Sequence, residues 1–366
     1  MSEPTQEEVI SLVSSRFEVT NVDLTLETLK FKIEDREFKT KFVELAHKLE
    51  SRDLIGRMEK TSDGTFILVN RFPPRKQRKI LSSSWLPRIL FAVVIGLVMI
   101  DGYYRTVGAN FLVNIGDPFE IAVIYTISLV GILGIHESGH LIAAKLHKLK
   151  TSWPYFIPGI PVYGIPTFGA VITSRGLTVN RHILYDVAIA GPIAGLVIAV
   201  IVSIYGAYTA PVITDELAKD LFSQSQLIEM NEPLLMIASL AMFGKGGQGE
   251  EVIMTPVLFA AWLGFLITFL NLLPAWQLDG GHMARTLFGE KIHKFATYGS
   301  LGILVLLNFW PMAILILVMS SKNMSATPLD DISPVSDKRK ISYIGIIVLA
   351  ILCAPLPSEI VSMLLS

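Results

Sequence analysis

A single cysteine, Cys353, stands in the 366 residues of the chain. That excludes an intrachain disulfide and any metal cluster built on several thiolates. Charge is scarce as well: Asp, Glu, Lys and Arg make up 17% of the residues, and the formal net charge is -1. No positive field exists in that total for a general nucleic-acid surface. Hydrophobic residues take the place of charge, at 51%, with a mean hydropathy of +0.53. This exceeds what a soluble core requires and indicates a membrane protein, in which a metal would be held by His, Asp or Glu. The N-terminal stretch MSEPTQEEVI lacks the basic patch and apolar run of a signal peptide, so no cleaved leader is expected.

The charge that is present is concentrated in residues 1–75, which read as a small cytoplasmic α+β domain. Residues 7–15 suit a helix, 17–25 and 29–33 alternate like strands, 39–49 have helical spacing, and 65–69 read as a strand after the turn Asp63-Gly64. The basic residues Arg75, Lys76, Arg78 and Lys79 close this domain, and residues 76–366 form the membrane part. Apolar runs at 85–104, 121–144, 183–205, 254–273, 296–319 and 341–357 predict six membrane-spanning helices. The run 234–243 is too short to cross and suits an interfacial or re-entrant piece. The expected architecture is thus an all-α polytopic membrane protein with a small N-terminal α+β soluble domain. Basic residues gather on the cytoplasmic side of membranes. The loop 145–181 has five Lys or Arg and no acid, whereas 207–252 has seven acids and two lysines, which puts the N-terminus inside, in the cell membrane. With six spans, however, Lys322, Lys338, Arg339 and Lys340 fall on the outer side, against the same rule.

Chemistry centres on His136-Glu137-Ser138-Gly139-His140, the only acidic, basic or histidine positions of the run 121–144. Histidines four apart share one helix face and can bind one Zn²⁺, with Glu137 beside them as a candidate base. Ionisable groups inside an apolar span are costly unless they face a polar cavity, a partner or a metal. His140 precedes Lys145 by five residues, which sets the site about 7 to 8 Å inside the boundary. A catalytic zinc needs one further protein ligand and a position for water. Asp279, in the segment NLLPAWQLDGG that starts at Asn271, is a candidate, where Pro274 breaks a long uncharged run. By local pattern alone Asp279 is also an ordinary turn residue after a helix.

The two motifs together resemble the site-2 protease family of intramembrane metalloproteases, in which an HExxH and a later NxxPxxxLDGG lie on different spans. The resemblance covers residues 121–281, within an expected core of about 121–290. It implies one Zn²⁺ per chain held by His136, His140 and Asp279, Glu137 as the base that activates water, and transmembrane segments of other proteins as substrates. Phe168, Gly169, Ala170 and Val171, with Ile172 and Thr173, read as a short strand near the active site. In the family such a strand is an edge that substrate pairs with; a loop packed over the site is the alternative. Asn271 resembles the motif Asn that holds the substrate or the oxyanion, with a helix-helix hydrogen bond as its alternative. Gly191 and Gly195, four apart, predict close helix packing. His282 could be an outer neighbour of the zinc site, although a solvated interface role is expected for it and for His147, His182 and His293. A metal or proton transporter using His136, Glu137, His140 and Asp279 is the competing class. An inactive scaffold that binds membrane helices is a third. The partners expected are membrane-spanning substrates and the lipid bilayer, not nucleic acid.

Overall fold

The account of the fold rests on a computed structural model, which describes residues 5–25, 28–35, 37–71, 85–149, 151–162, 164–171, 178–223, 230–247, 249–321, 327–357, 360–361 and 363. The basic stretch 75–79, the end of the expected strand at Ile172 and Thr173, and Lys322 lie outside these residues.

Helix α1 (Gln6–Ser14) opens on a capping box, in which Thr5 and Glu8 satisfy each other's backbone N–H. Strands β1 (Val19–Leu24) and β2 (Thr28–Ile33), helix α2 (Lys39–Glu50), and strands β3 (Leu54–Thr61) and β4 (Gly64–Arg71) follow. The strands form one antiparallel sheet in the order β1-β2-β4-β3. Strand β3 was not foreseen, although its alternating burial follows from Leu54, Gly56 and Met58 on one face. Phe31, Phe42, Leu45, Leu49 and Ile67 bury themselves between sheet and helices. That core also takes in Val179, Ile183 and Leu329 from later in the chain. The Met58 N–H also donates to the Leu329 carbonyl at 2.8 Å, covering the β3 edge.

Helices α3 (Leu86–Asn110) and α4 (Pro118–Leu146) are followed by the hairpin β5 (Tyr155–Pro158) and β6 (Thr167–Val171) and by helix α5 (Arg181–Thr209). Beyond α5 come β7 (Val212–Thr214), α6 (Asp215–Ser223), α7 (Leu234–Ala241), β8 (Glu250–Val252), α8 (Pro256–Leu272), α9 (Asp279–Leu306), α10 (Trp310–Ser320) and α11 (Asp337–Cys353). The molecule is mostly helical with small sheets. Among the described residues, three helices, α3, α4 and α5, are long and apolar enough to cross a membrane, and α8 and α10 are shorter apolar helices. Ile89 and Val93 on α3, Ile127 and Ile135 on α4, and Val197 and Ile201 on α5 are exposed, as a lipid-facing surface requires. Helix α8 is buried on nearly every side, so its 17 residues, about 25 Å of helix, need not meet lipid across the full hydrocarbon thickness.

The six-span count is not reproduced. Residues 296–319, expected as one span, break between α9 and α10 at Asn308, whose φ is 67°. Helix α9 is itself kinked at Gly289, with φ 81°. Helix α10 packs back against α9, and the chain returns to the end where the N-terminal sheet sits. Arg339 donates two hydrogen bonds to the Asp186 carboxylate near the start of α5, at 2.8 and 2.6 Å, beside Lys39 of α2 and His182. Arg339 thus lies at the end of α5 that carries Arg181.

Candidate metal centre

Helix α4 starts on Asp117, whose side chain accepts from the N–H groups of Phe119 and Glu120, with Pro118 in the first turn. From that cap the helix runs uninterrupted to Leu146, which sets His136 and His140 one turn apart on the face toward α5 and α9. Their rings lie 5.0 Å apart between centroids, and their Nε2 atoms 3.2 Å apart. His140 Nδ1 donates to the Val187 carbonyl of α5 at 2.8 Å. That bond places the proton on Nδ1 and leaves the Nε2 lone pair free for a metal.

Asp279 opens α9. Its Oδ2 lies 3.3 Å from His140 Nε2 and 3.6 Å from His136 Nε2. Two ligands each about 2.0–2.1 Å from a tetrahedral zinc are about 3.3 Å from one another, so the triangle of donor atoms fits a single zinc ion. Among the described residues this trio is the one group able to hold a metal, and its donor set of two imidazoles and a carboxylate fits zinc. Glu137, 8% exposed, occupies the next position on α4 beside the trio. Asn271, near the end of α8, brings its Nδ2 to 3.4 Å from His136 Nε2.

The turn that delivers Asp279 is tightly made. Pro274 ends α8, and Trp276 takes a left-handed backbone, φ 44°, which a bulky residue adopts only under constraint. The constraint comes from beyond the α9 kink. Thr297 Oγ1 accepts the Trp276 N–H at 3.1 Å, and His293 Nε2 donates to the Trp276 carbonyl at 2.9 Å. Gly280 and Gly281 follow because a Cβ at either would strike the carbonyls of Leu272 and Leu273, or of Ala275 and Trp276. The diglycine is thus a matter of close approach.

Two glycines of α5 have a role their spacing did not disclose. A Cβ at Gly191 would run into the His140 ring, and one at Gly195 would come within 2.9 Å of the His136 Cβ. Close helix packing was the expectation, and it holds; what the glycines accommodate is the pair of imidazoles. Gly191→Ala is therefore expected to displace the His140 ring and weaken zinc binding about 10–100-fold, read by competition with a chelator.

Phe168, Gly169, Ala170 and Val171 lie in β6, which pairs antiparallel with β5, Ala170 opposite Phe156. Gly169 has φ 86°, and Phe168 is 63% exposed. Among the described residues no hydrogen bond joins this strand to the side chains of His136, His140 and Asp279. His282 is half-buried on α9, one turn after Asp279. The solvated role expected of His293 is overturned, because it is fully buried and holds Trp276. His147 lies 3.3 Å from Asp186, and the Pro334 carbonyl and Ser336 N–H both come within 3.2 Å of His182 Nε2. Arg285, buried on α9 six residues after Asp279, pairs with Asp331 at 2.7 Å, and Arg181 pairs with the same carboxylate at 2.8 Å. Burial works to raise the Asp331 carboxyl, and the two guanidiniums outweigh it, holding it below the usual carboxylate range. No sequence pattern pointed to this link.

The sequence profile of Peptidase family M50 matches residues 124–308, half of the chain, and spans His136, His140 and Asp279. The chain belongs to Peptidase family M50. This M50 member is 30% identical over 248 residues to the probable zinc metalloprotease EGY1, chloroplastic, of Arabidopsis thaliana, covering 66% of the chain and 44% of that protein. It is 30% identical over 237 residues to the probable zinc metalloprotease EGY2, chloroplastic, of the same plant, covering 62% and 40%. The EGY3 relative of Oryza sativa subsp. indica is 28% identical over 243 residues, covering 61% and 39%. The M50 chain spans less than half the length of these curated relatives. No solved structure matches it.

Proposed function

We propose that the chain is a zinc metalloprotease that hydrolyses peptide bonds in or near the membrane-spanning segments of other proteins. The observation that carries this is the convergence of His136, His140 and Asp279, from two separate helices, on one zinc-sized triangle beside a buried glutamate. Family membership supports the same reading, and the exposed apolar faces of α3, α4 and α5 support a bilayer setting. Residues 1–75 act as an accessory module to the membrane part, 76–366. The end bearing Lys145, Lys148, Arg181, Arg339 and Lys340 is the cytoplasmic side, as the clustering of basic residues favours.

His136, His140 and Asp279 hold the ion, with Val187 orienting His140. When bound, zinc polarises a carbonyl and makes water a nucleophile near neutral pH. Glu137 takes the proton from the attacking water and returns it to the departing amide nitrogen, so acid and base work share one carboxylate. Asn271, whose amide already reaches the cluster, donates to the substrate backbone as negative charge gathers on the carbonyl oxygen. A substrate helix shields its own peptide bonds, so it must be unwound first. Phe168, Gly169, Ala170 and Val171 supply a strand edge on which an extended segment pairs.

The test is a vesicle containing the purified protein and a single-span substrate. Cleavage mapped by mass spectrometry to the hydrophobic segment is the expected result. Zinc flux across the vesicle without cleavage would replace this reading with that of a transporter.

A further inference from the structure

Helix α3 carries a carboxylate and a guanidinium one turn apart, in a helix apolar enough to cross a membrane. Charges in such a place are costly, and their partners indicate what they do. Asp101 is 0% exposed and has three donors: Tyr125 Oη at 2.6 Å, Arg105 Nε at 2.7 Å and the Val162 N–H at 2.6 Å. Arg105 donates in turn to the Gly164 carbonyl at 3.0 Å, and its guanidinium lies 3.7 Å from the centre of the Phe259 ring. Two of these bonds reach the same place, the turn between β5 and β6.

That turn needs holding. Val162 has φ 70°, a left-handed conformation that a β-branched residue adopts only under constraint. The bonds Gly159 N–H to the Pro166 carbonyl and Ile160 N–H to the Ile165 carbonyl tie its two arms. Nearer the start of α3, Phe91 lies 4.9 Å from Phe156 of β5, ring to ring. Phe91 and Asp101 are ten residues apart, about 15 Å along the helix. The hairpin is therefore fastened to α3 at both ends, by an aromatic contact at its base and by charge at its tip. A two-stranded hairpin is only marginally stable by itself, so these fastenings decide where β6 lies.

We propose that the Asp101–Arg105 pair is a positioning device that clamps the β5–β6 turn and so fixes the strand edge on which an extended substrate segment pairs. This rests on the protease reading above. A clamp of this kind acts on substrate capture, and because Asp101 also meets α4, the helix of His136 and His140, through Tyr125, zinc per chain is read alongside KM.

The experiment measures KM and kcat for a single-span substrate, with zinc content, for the full-length protein and its Asp101→Asn variant in vesicles. The expected result is a KM raised about tenfold, with kcat within about threefold and zinc per chain unchanged. A substrate carrying a Gly-Pro pair that already unwinds its scissile stretch is expected to be affected less. If Asp101→Asn does not accumulate, Tyr125→Phe removes one donor and keeps the ion pair, with KM expected to rise about threefold. Unchanged KM in a folded variant, or a loss of kcat and zinc together at constant KM, overturns the clamp. A wild-type protein that cleaves neither substrate overturns the protease reading instead.

Discussion

A Glu137→Gln protein is expected to retain its zinc and fold and to lose about 10²–10⁴-fold in the rate of substrate cleavage. Glutamine has the volume of glutamate, so the buried position beside His136 stays filled and α4 stays packed. Its amide cannot take a proton from water or deliver one to a leaving nitrogen. KM changes little, because the substrate is held by other groups. Single-turnover cleavage in vesicles, with zinc measured on the same sample, separates loss of the base from loss of the metal. Cleavage within about twofold of wild type would assign the proton transfers to another residue.

The second large effect is on the metal itself. Asp279→Ala removes one corner of the triangle and leaves two imidazoles that rest on a single helix. Two ligands hold zinc far more weakly than three, so zinc is expected to fall from about one per chain to under about a tenth after dialysis. Cleavage should vanish with it. The fold should survive, because Asp279 faces the two histidines at 3.3 and 3.6 Å and the turn before it is fastened independently by His293 and Thr297. His140→Ala is expected to behave alike, whereas a solvent-facing change such as Lys340→Ala is expected to leave zinc and cleavage intact.

The cluster of His136, His140 and Asp279 was legible because its residue types are constrained by chemistry and its first half is local. Two histidines four apart on a helix must share a face wherever the helix goes. Asp279 was a weaker signal, since the same Asp-Gly-Gly also makes an ordinary turn. Only the resemblance between motif pairs joined it to the histidines, which the coordinates bring within 3.6 Å. Gly191 and Gly195 were legible as small and illegible as neighbours of imidazole, because residues distant in sequence decide what a glycine faces. Asp101 was passed over inside an apolar run, yet a lone carboxylate there with an arginine one turn on is a signal that hydropathy averages away. The six-span count is not reproduced for a related reason. Residues 296–319 are mostly apolar, and an averaged hydropathy passes over Asn308 and Pro311, the turn formers where the chain reverses. Basic residues before the last helix stood against a six-span topology from the start, by the rule that such residues gather on one side. The fit of the N-terminal sheet to Leu329 was equally invisible, because a backbone bond at a sheet edge leaves no mark on side-chain pattern.

Zinc X-ray absorption of the purified protein tests the central claim most directly. Two imidazole nitrogens and oxygen ligands at about 2.0–2.1 Å are expected, with the imidazole signal and the bound zinc lost together in His140→Ala. A protein that binds no zinc at all, or whose zinc environment is unchanged when His140 and Asp279 are both replaced by alanine, would contradict the account.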